Sequence, residues 1–161
     1  MQFEHLNGGP LTDAEKVYAA VRNISGATMS AGAAAFFVVA SPDGISVSNA
    51  GSTRKWGFAG ILPAALSDSS YGRAQVYGIC SAYMVLNSTA VSAVAGQQLD
   101  AVASANYLKD FTASDYYLSA AISAANPTPN PWNHVVLMDS FASAASAQST
   151  PALKTVFVRA L

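Results

Sequence analysis

Residues 74–86 alternate between two sets of side chains, which predicts a long β-strand. One set is entirely apolar, whereas the other mixes tyrosine, glutamine and serine with two aliphatic residues. Because successive side chains of a strand point to opposite faces, one face is expected in a core and the other half wetted or covered by a neighbour. The apolar set comprises Val76, Gly78, Cys80, Ala82, Met84 and Leu86, and the mixed set comprises Gln75, Tyr77, Ile79, Ser81, Tyr83 and Val85.

Shorter apolar runs between turn residues predict further strands. Residues 33–40 are such a run, and the turn sequence 41–44 (Ser-Pro-Asp-Gly) and the alternating residues 45–49 follow it, as in a strand, turn and strand. Many short strands with turns between them indicate an all-β fold, a small antiparallel barrel or sandwich. The other strand candidates are residues 56–62, 91–94, 135–138 and 153–161, and residues 66–72 are predicted to be a polar loop.

Two segments remain ambiguous between helix and another structure. Residues 12–15 have the spacing of a capping box, which would start a helix, but Val17, Tyr18, Val21 and Ile24 fit a helix or a strand equally well. Residues 107–125 include apolar positions at helical spacing, and three prolines between 127 and 131 prevent regular structure there. A minor helical or loop insert is therefore expected.

The chain divides into an arm and one domain. Residues 7–10 (Asn-Gly-Gly-Pro) form a strong break, so residues 1–14 are predicted to be an extended N-terminal arm. No linker divides residues 15–161, and 161 residues are enough to bury a core without disulfides or a metal. A single β-rich domain is expected there.

Composition narrows the functional classes. Charged residues make up only 11% of the chain and the net charge is −1, which argues against nucleic-acid binding because that requires a basic surface. No apolar stretch of about 20 residues suggests a transmembrane helix, and no secretory signal is visible. A neutral surface rich in alanine and serine suits a protein that packs against other chains.

Few residues offer catalytic or metal chemistry. One cysteine and two histidines make a zinc site implausible, no cofactor motif is present, and Cys80 is expected to be a buried small hydrophobe. His134, Asp139 and Ser140 could be named as a triad, but the polar end of a strand explains them better. Asp110 and Asp115 could hold a cation, although a turn gives the same sequence. The sequence therefore predicts no enzyme and no cofactor.

Two other local motifs have equally simple explanations. Arg54 and Lys55 beside Trp56 form a tight basic pair that could touch an acidic partner, although a solvated strand start is the commoner structure. Asn23 and Asn87 begin glycosylation sequons, which carry no meaning without a secretory signal.

Several stretches of the chain occur in a characteristic order: residues 21–28 with Gly32 and 33–39, then 58–62, 71–78, 95–99 and 154–159. Taken together, they resemble the small decoration (cement, or head-stabilising) proteins of tailed bacteriophages. The resemblance covers roughly residues 16–161, and the order and spacing of its short strings carry it. It implies a compact β-rich fold, a small barrel on the outer face of an icosahedral head, and a strand rather than a helix at residues 17–24.

The resemblance also implies partners and a location. The chain would bind the major capsid protein and copies of itself, as a trimer, on the outer surface of the virion, after synthesis in the host bacterial cytoplasm; nucleic acid and membrane are not expected partners. Another virion component, such as a head-fibre base or tail protein, and a carbohydrate-binding domain remain alternatives. The candidate contact residues are Phe3, Leu6, Arg54, Trp56, Tyr77, Tyr83 and Trp132.

Overall fold

Eleven β-strands make up the part of the chain that a computed structural model describes, and no residue of that part is helical. The described residues are 15–38, 40–41, 43–49, 57–86, 92–102, 105–110, 135–142 and 150–160. The all-β prediction is confirmed. The strands are β1 Val17–Asn23, β2 Ala34–Phe37, β3 Ser46–Ser48, β4 Phe58–Ile61, β5 Tyr71–Val85, β6 Ser92–Ala93, β7 Leu99–Ala101, β8 Leu108–Asp110, β9 Val135–Leu137, β10 Phe141–Ala142 and β11 Ala152–Arg159.

Five strands close into a barrel in the order β1-β3-β2-β4-β5, and pairing of β5 with β1 completes the ring. The barrel prediction is therefore confirmed. Its antiparallel character holds for most pairs but not for β1–β3 or β5–β8, which are parallel. A parallel pair needs a connection that crosses over, and here the chain returns from β1 to β3 by way of β2.

Strand β5 is shared between the barrel and a second group of strands. Its first half pairs with β1 over residues 71–77, and its second half pairs with β11 over residues 77–84. Strand β9 then adds to the far side of β11, β7 and β8 extend the sheet from the end of β5, and β6 and β10 form a separate two-stranded ribbon. One strand thus joins the two layers of the fold.

The helix alternative for residues 17–23 is wrong, because they form β1. The apolar positions fit both periods, so local sequence did not decide between them. Pairing with β5 on one side and β3 on the other satisfies the backbone of this segment and fixes the strand. This agrees with the strand that the family resemblance implied.

Small side chains fill the barrel, and a second core lies outside it. The interior cluster includes Val21, Ala35, Val47, Ala59 and Ala74, whereas Ala34, Phe36 and Ile61 face a larger cluster with β5, β9 and β11. Strands β2 and β4 are therefore buried on both faces. This explains why residues 33–36 are continuously apolar rather than alternating, whereas Phe37 at the end of β2 is 37% exposed.

The predicted faces of β5 are largely confirmed. Val76, Ala82 and Met84 are buried, whereas Ile79 and Ser81 on the opposite face are exposed. Cys80 is only half-buried, which corrects the expectation of full burial; it packs against the edge of the larger cluster.

Gln75 belongs to the face that the sequence left open between half wetted and covered, and the structure buries its side chain. Its Nε2 donates to the carbonyl oxygens of Tyr77 and Ile79, at 3.1 and 3.2 Å. These carbonyls lie where β5 passes from β1 to β11. Gly78 adopts φ +100° at the same place, and a Cβ there would collide with the carbonyl oxygen of Glu15. At the point where β5 exchanges its partner β1 for β11, Gly78 therefore avoids a steric collision and the Gln75 amide satisfies two backbone carbonyls.

The structure tests the remaining predictions only in part. The loop expected at residues 66–72 is shorter, because β5 begins at Tyr71 and Leu66 is buried. The ambiguous segment 107–125 begins as β8, and its residues after 110, the proline-containing segment and the predicted arm lie outside the described residues.

Candidate interaction surfaces

The outward side of the β5–β11–β9 layer carries a row of large apolar side chains, here called the apolar face. Residues of the two longer strands lie opposite each other in register: Tyr83 with Leu153 and Ile79 with Phe157. Val136 of β9 lies beside Phe157 and extends the row. The apolar face consists of Tyr77, Ile79, Tyr83, Val136, Leu153 and Phe157. A polar pair, Ser81 and Thr155, lies between the two apolar pairs, and Arg159 lies opposite Tyr77.

The apolar face is partly open to solvent. Leu153 is 53% exposed and Ile79 is 36% exposed, although both are aliphatic. Tyr77 and Phe157 pack edge to face, with ring centroids 5.3 Å apart, so the two aromatic rings hold each other in place. An ordered aromatic and aliphatic surface of this kind is typical of a protein contact.

The structure places two of the predicted contact residues, Tyr77 and Tyr83, together on the apolar face. The other candidates, Phe3, Leu6, Arg54, Trp56 and Trp132, lie outside the described residues. Leu153, Phe157 and Val136 were missed as contact candidates. Alternation in residues 153–161 already placed Phe157 on the face opposite Val156 and Val158. A large aromatic residue on that second face could therefore have identified Phe157 as a contact candidate.

A second surface lies on the outside of the barrel, where β1 and β5 pair. Arg22 lies opposite Tyr71, and Ala20 lies opposite Arg73. The guanidinium carbon of Arg73 is 4.7 Å from the ring centroid of Tyr18, and that of Arg22 is 5.6 Å from the ring centroid of Tyr71. These four side chains, with Ala20 between them, form a surface here called the Tyr–Arg ladder.

The sequence did not indicate the Tyr–Arg ladder. Its residues come together only if 17–23 form a strand, and that point was ambiguous in the sequence. A shallow depression of about 460 Å³ adjoins the ladder; Tyr71 and Arg73 line one side, and Pro63, Ala64 and Leu66 belong to the other.

Two titratable groups have shifted pKa values. Partial burial raises the pKa of the Cys80 thiol to about 11, against a smaller opposing effect of Lys16, so the thiol stays protonated at neutral pH. The Ser46 hydroxyl, followed by the Ser46 and Ile45 amides, donates hydrogen bonds that lower the pKa of the Asp43 carboxyl to about 2. Asp43 thereby holds the turn between β2 and β3.

Asn23 is completely buried despite beginning a sequon. Its Nδ2 donates to the carbonyl oxygens of Ala27 and Leu66, at 2.7 and 2.9 Å, and its Oδ1 accepts a hydrogen bond from the Ser25 amide. The side chain therefore ties the loop after β1 to the loop before β5. In this position it is a structural residue.

The structure describes only some of the polar residues that were named as catalytic alternatives. Asp139 and Ser140 are exposed after β9, and the Ser140 amide donates to Asp139 Oδ1 at 2.8 Å. Asp110 ends β8, opposite Leu99, whereas His134 and Asp115 lie outside the described residues. Across the described ranges, no group of three or more His, Cys, Asp or Glu side chains is placed to hold a metal ion.

In the described part of the chain, no helix is long and apolar enough to cross a bilayer. Comparison with known proteins gave no relative either, since no family model and no curated protein matches the chain.

Proposed function

We propose that this chain is a decoration protein of a tailed-phage head, which binds the outside of the assembled capsid and bridges subunits of the major capsid protein as a homotrimer. The family resemblance of the sequence gives the proposal its identity. The observation that carries it is the apolar face, because covering the exposed side chains of Leu153 and Ile79 with another protein surface is favourable.

The size of this face supports a bridging role. β5 and β11 pair over eight residues, which corresponds to about 26 Å by 10 Å, or roughly 260 Å² in projection. A standard interface covers about 800 Å² on each partner. The apolar face is therefore one contact among several, and several modest contacts to adjacent subunits strengthen each other by raising the effective concentration of the next.

Bridging explains how such a protein stabilises a shell. A chain that binds the assembled lattice but not free subunits shifts the assembly equilibrium towards the lattice by mass action. Its surface chemistry needs to provide contacts rather than catalysis. The edge-to-face packing of Tyr77 and Phe157 holds both rings in place for such contacts.

Cosedimentation with expanded heads of the same phage tests the proposal. The wild-type chain should pellet with the heads to saturation, whereas Leu153→Lys should remain folded by circular dichroism and lose most binding. Val94→Lys is the matched control, because Val94 is 63% exposed and lies outside the apolar face. A wild-type chain that never binds heads would refute the function; equal binding by Leu153→Lys would refute the role of the face alone.

A further inference from the structure

We propose that the Tyr–Arg ladder is a docking site for an extended acidic segment of a partner protein. The ladder lies at the start of β5, where residues 71–73 pair with β1, whereas the apolar face lies where residues 77–84 pair with β11. The docking site does not require the partner to be a capsid.

Unbalanced positive charge is the first argument. Neither Arg22 nor Arg73 forms an ion pair with any residue in the described ranges, and both guanidinium groups instead stack on tyrosine rings. Arg22 Nε is buried and has no hydrogen-bond partner there. Two guanidinium groups without an ion-pair partner among the described residues complement an acidic partner.

Preorganisation is the second argument. Stacking on Tyr18 and Tyr71 holds the two arginines over the sheet, so less side-chain freedom is lost when a ligand binds. Tyrosine and arginine are also the residues that most often dominate binding energy at protein interfaces. Tyr71 is 69% exposed, which leaves much of its surface for contact.

Geometry favours an extended segment. Arg22 and Arg73 occupy diagonal positions on neighbouring strands, so their Cα atoms are about 7–8 Å apart, and each guanidinium group leans over its own tyrosine ring. Carboxylates on alternate residues of an extended chain repeat every ~6.7 Å on one face. The adjoining depression beside Pro63 and Leu66 would accept an apolar side chain next to the acidic residues.

A polypeptide fits better than a nucleic acid. The ladder offers only two cationic side chains on a chain of net charge −1. Binding a phosphate backbone depends on neutralising several phosphates along a basic surface. Two arginines beside an apolar depression match a segment that alternates acidic with neutral residues and carries an aliphatic side chain.

The test is a titration of the full ¹⁵N-labelled chain, followed by NMR, with a blocked octapeptide that has glutamate at every second position, threonine between them and a terminal leucine. We expect saturable shifts centred on the amides of residues 18–22 and 71–73, and weaker binding when salt is raised. Arg73→Gln should weaken binding about tenfold, and Arg73→Lys should weaken it less because the charge remains. Arg159→Gln is the matched control, since it removes the same charge from β11.

Several outcomes would overturn the proposal. These are an absence of shifts in the ladder at millimolar peptide, equal shifts with the peptide in which glutamine replaces glutamate, or equal losses for Arg73→Gln and Arg159→Gln. Tighter binding of a single-stranded oligonucleotide to the same amides would reassign the site to phosphate. Because no heads are used, this result is independent of the cosedimentation experiment.

Discussion

Replacing the buried Asn23 by alanine should destabilise the fold markedly. The change removes three hydrogen bonds, those to the carbonyl oxygens of Ala27 and Leu66 and from the Ser25 amide. Each contributes about 0.5–1.5 kcal/mol net. Both carbonyls keep another donor, Ser25 Oγ and the Met29 amide respectively, so only the Ser25 amide loses its acceptor. We therefore expect the lower part of the range, about 2–3 kcal/mol in total.

Urea unfolding followed by circular dichroism measures this loss, and thermal unfolding should show a decrease of about 5–10 °C in the melting temperature. Asn49→Ala is the matched control, because Asn49 is exposed and should change the free energy of unfolding by less than about 0.5 kcal/mol. A cost for Asn23→Ala no larger than that of Asn49→Ala would show that these hydrogen bonds do not hold the two loops together.

Asn23→Asp extends the test through its pH dependence. The new carboxylate would face two carbonyl oxygens in a buried site, so its pKa in the folded state should be raised. A raised folded-state pKa means that the folded protein binds the proton more tightly, so stability falls as pH rises from about 4 towards neutrality. Relative to wild type, Asn23→Asp should recover stability at pH 4, whereas Asn23→Ala should not.

Three further predictions concern Gly78, Asp43 and Cys80. Gly78→Ala should lower the free energy of unfolding, measured in urea, by about 1–2 kcal/mol more than Gly96→Ala does. Both residues have positive φ, but only at Gly78 would the Cβ meet a backbone oxygen. Equal losses would show that the Glu15 carbonyl moves aside freely. Asp43→Asn should flatten the decline in melting temperature as pH falls from about 4 to 2, because the hydrogen bonds that lower the pKa to about 2 are lost on protonation; parallel wild-type and variant curves would contradict this. Cys80 should react with iodoacetamide at pH 8 about 100-fold more slowly than an unperturbed thiol, since a pKa of about 11 leaves little thiolate; a rate like that of free cysteine would show that burial does not protect it.

The sequence predicted strands best where one face meets the core. Alternation over residues 74–86 correctly placed Val76, Ala82 and Met84 on a buried side, and the last two belong to the larger cluster. The pattern left open whether Gln75 is covered; its side chain is buried and donates to the carbonyl oxygens on either side of Gly78, where β5 changes its pairing partner. No local pattern specifies such a change, because it arises from where β1 begins and β11 ends.

For the candidate surfaces too, prediction succeeded within a single strand and failed where two strands combine. Tyr77 and Tyr83 were found because both lie on one face of a single strand, and the period of two places them there. The Tyr–Arg ladder was missed because it combines β1 with β5, and Arg22 meets Tyr71 only through a register between distant segments. Helix and strand patterns were equally compatible with residues 17–24, so that register could not be proposed.

The sharing of β5 also has a consequence for the folding rate. The β1–β5 pairing that closes the barrel joins residues about 50–60 positions apart, and the second layer waits for β11, about 75 positions beyond its partner residues in β5. High contact order of this kind slows folding, because loop-closure entropy is lost before distant contacts form. During synthesis, residues 34–61 can pair locally in the order β3-β2-β4, but the second half of β5 lacks its neighbour β11 until residues 152–159 have left the ribosome.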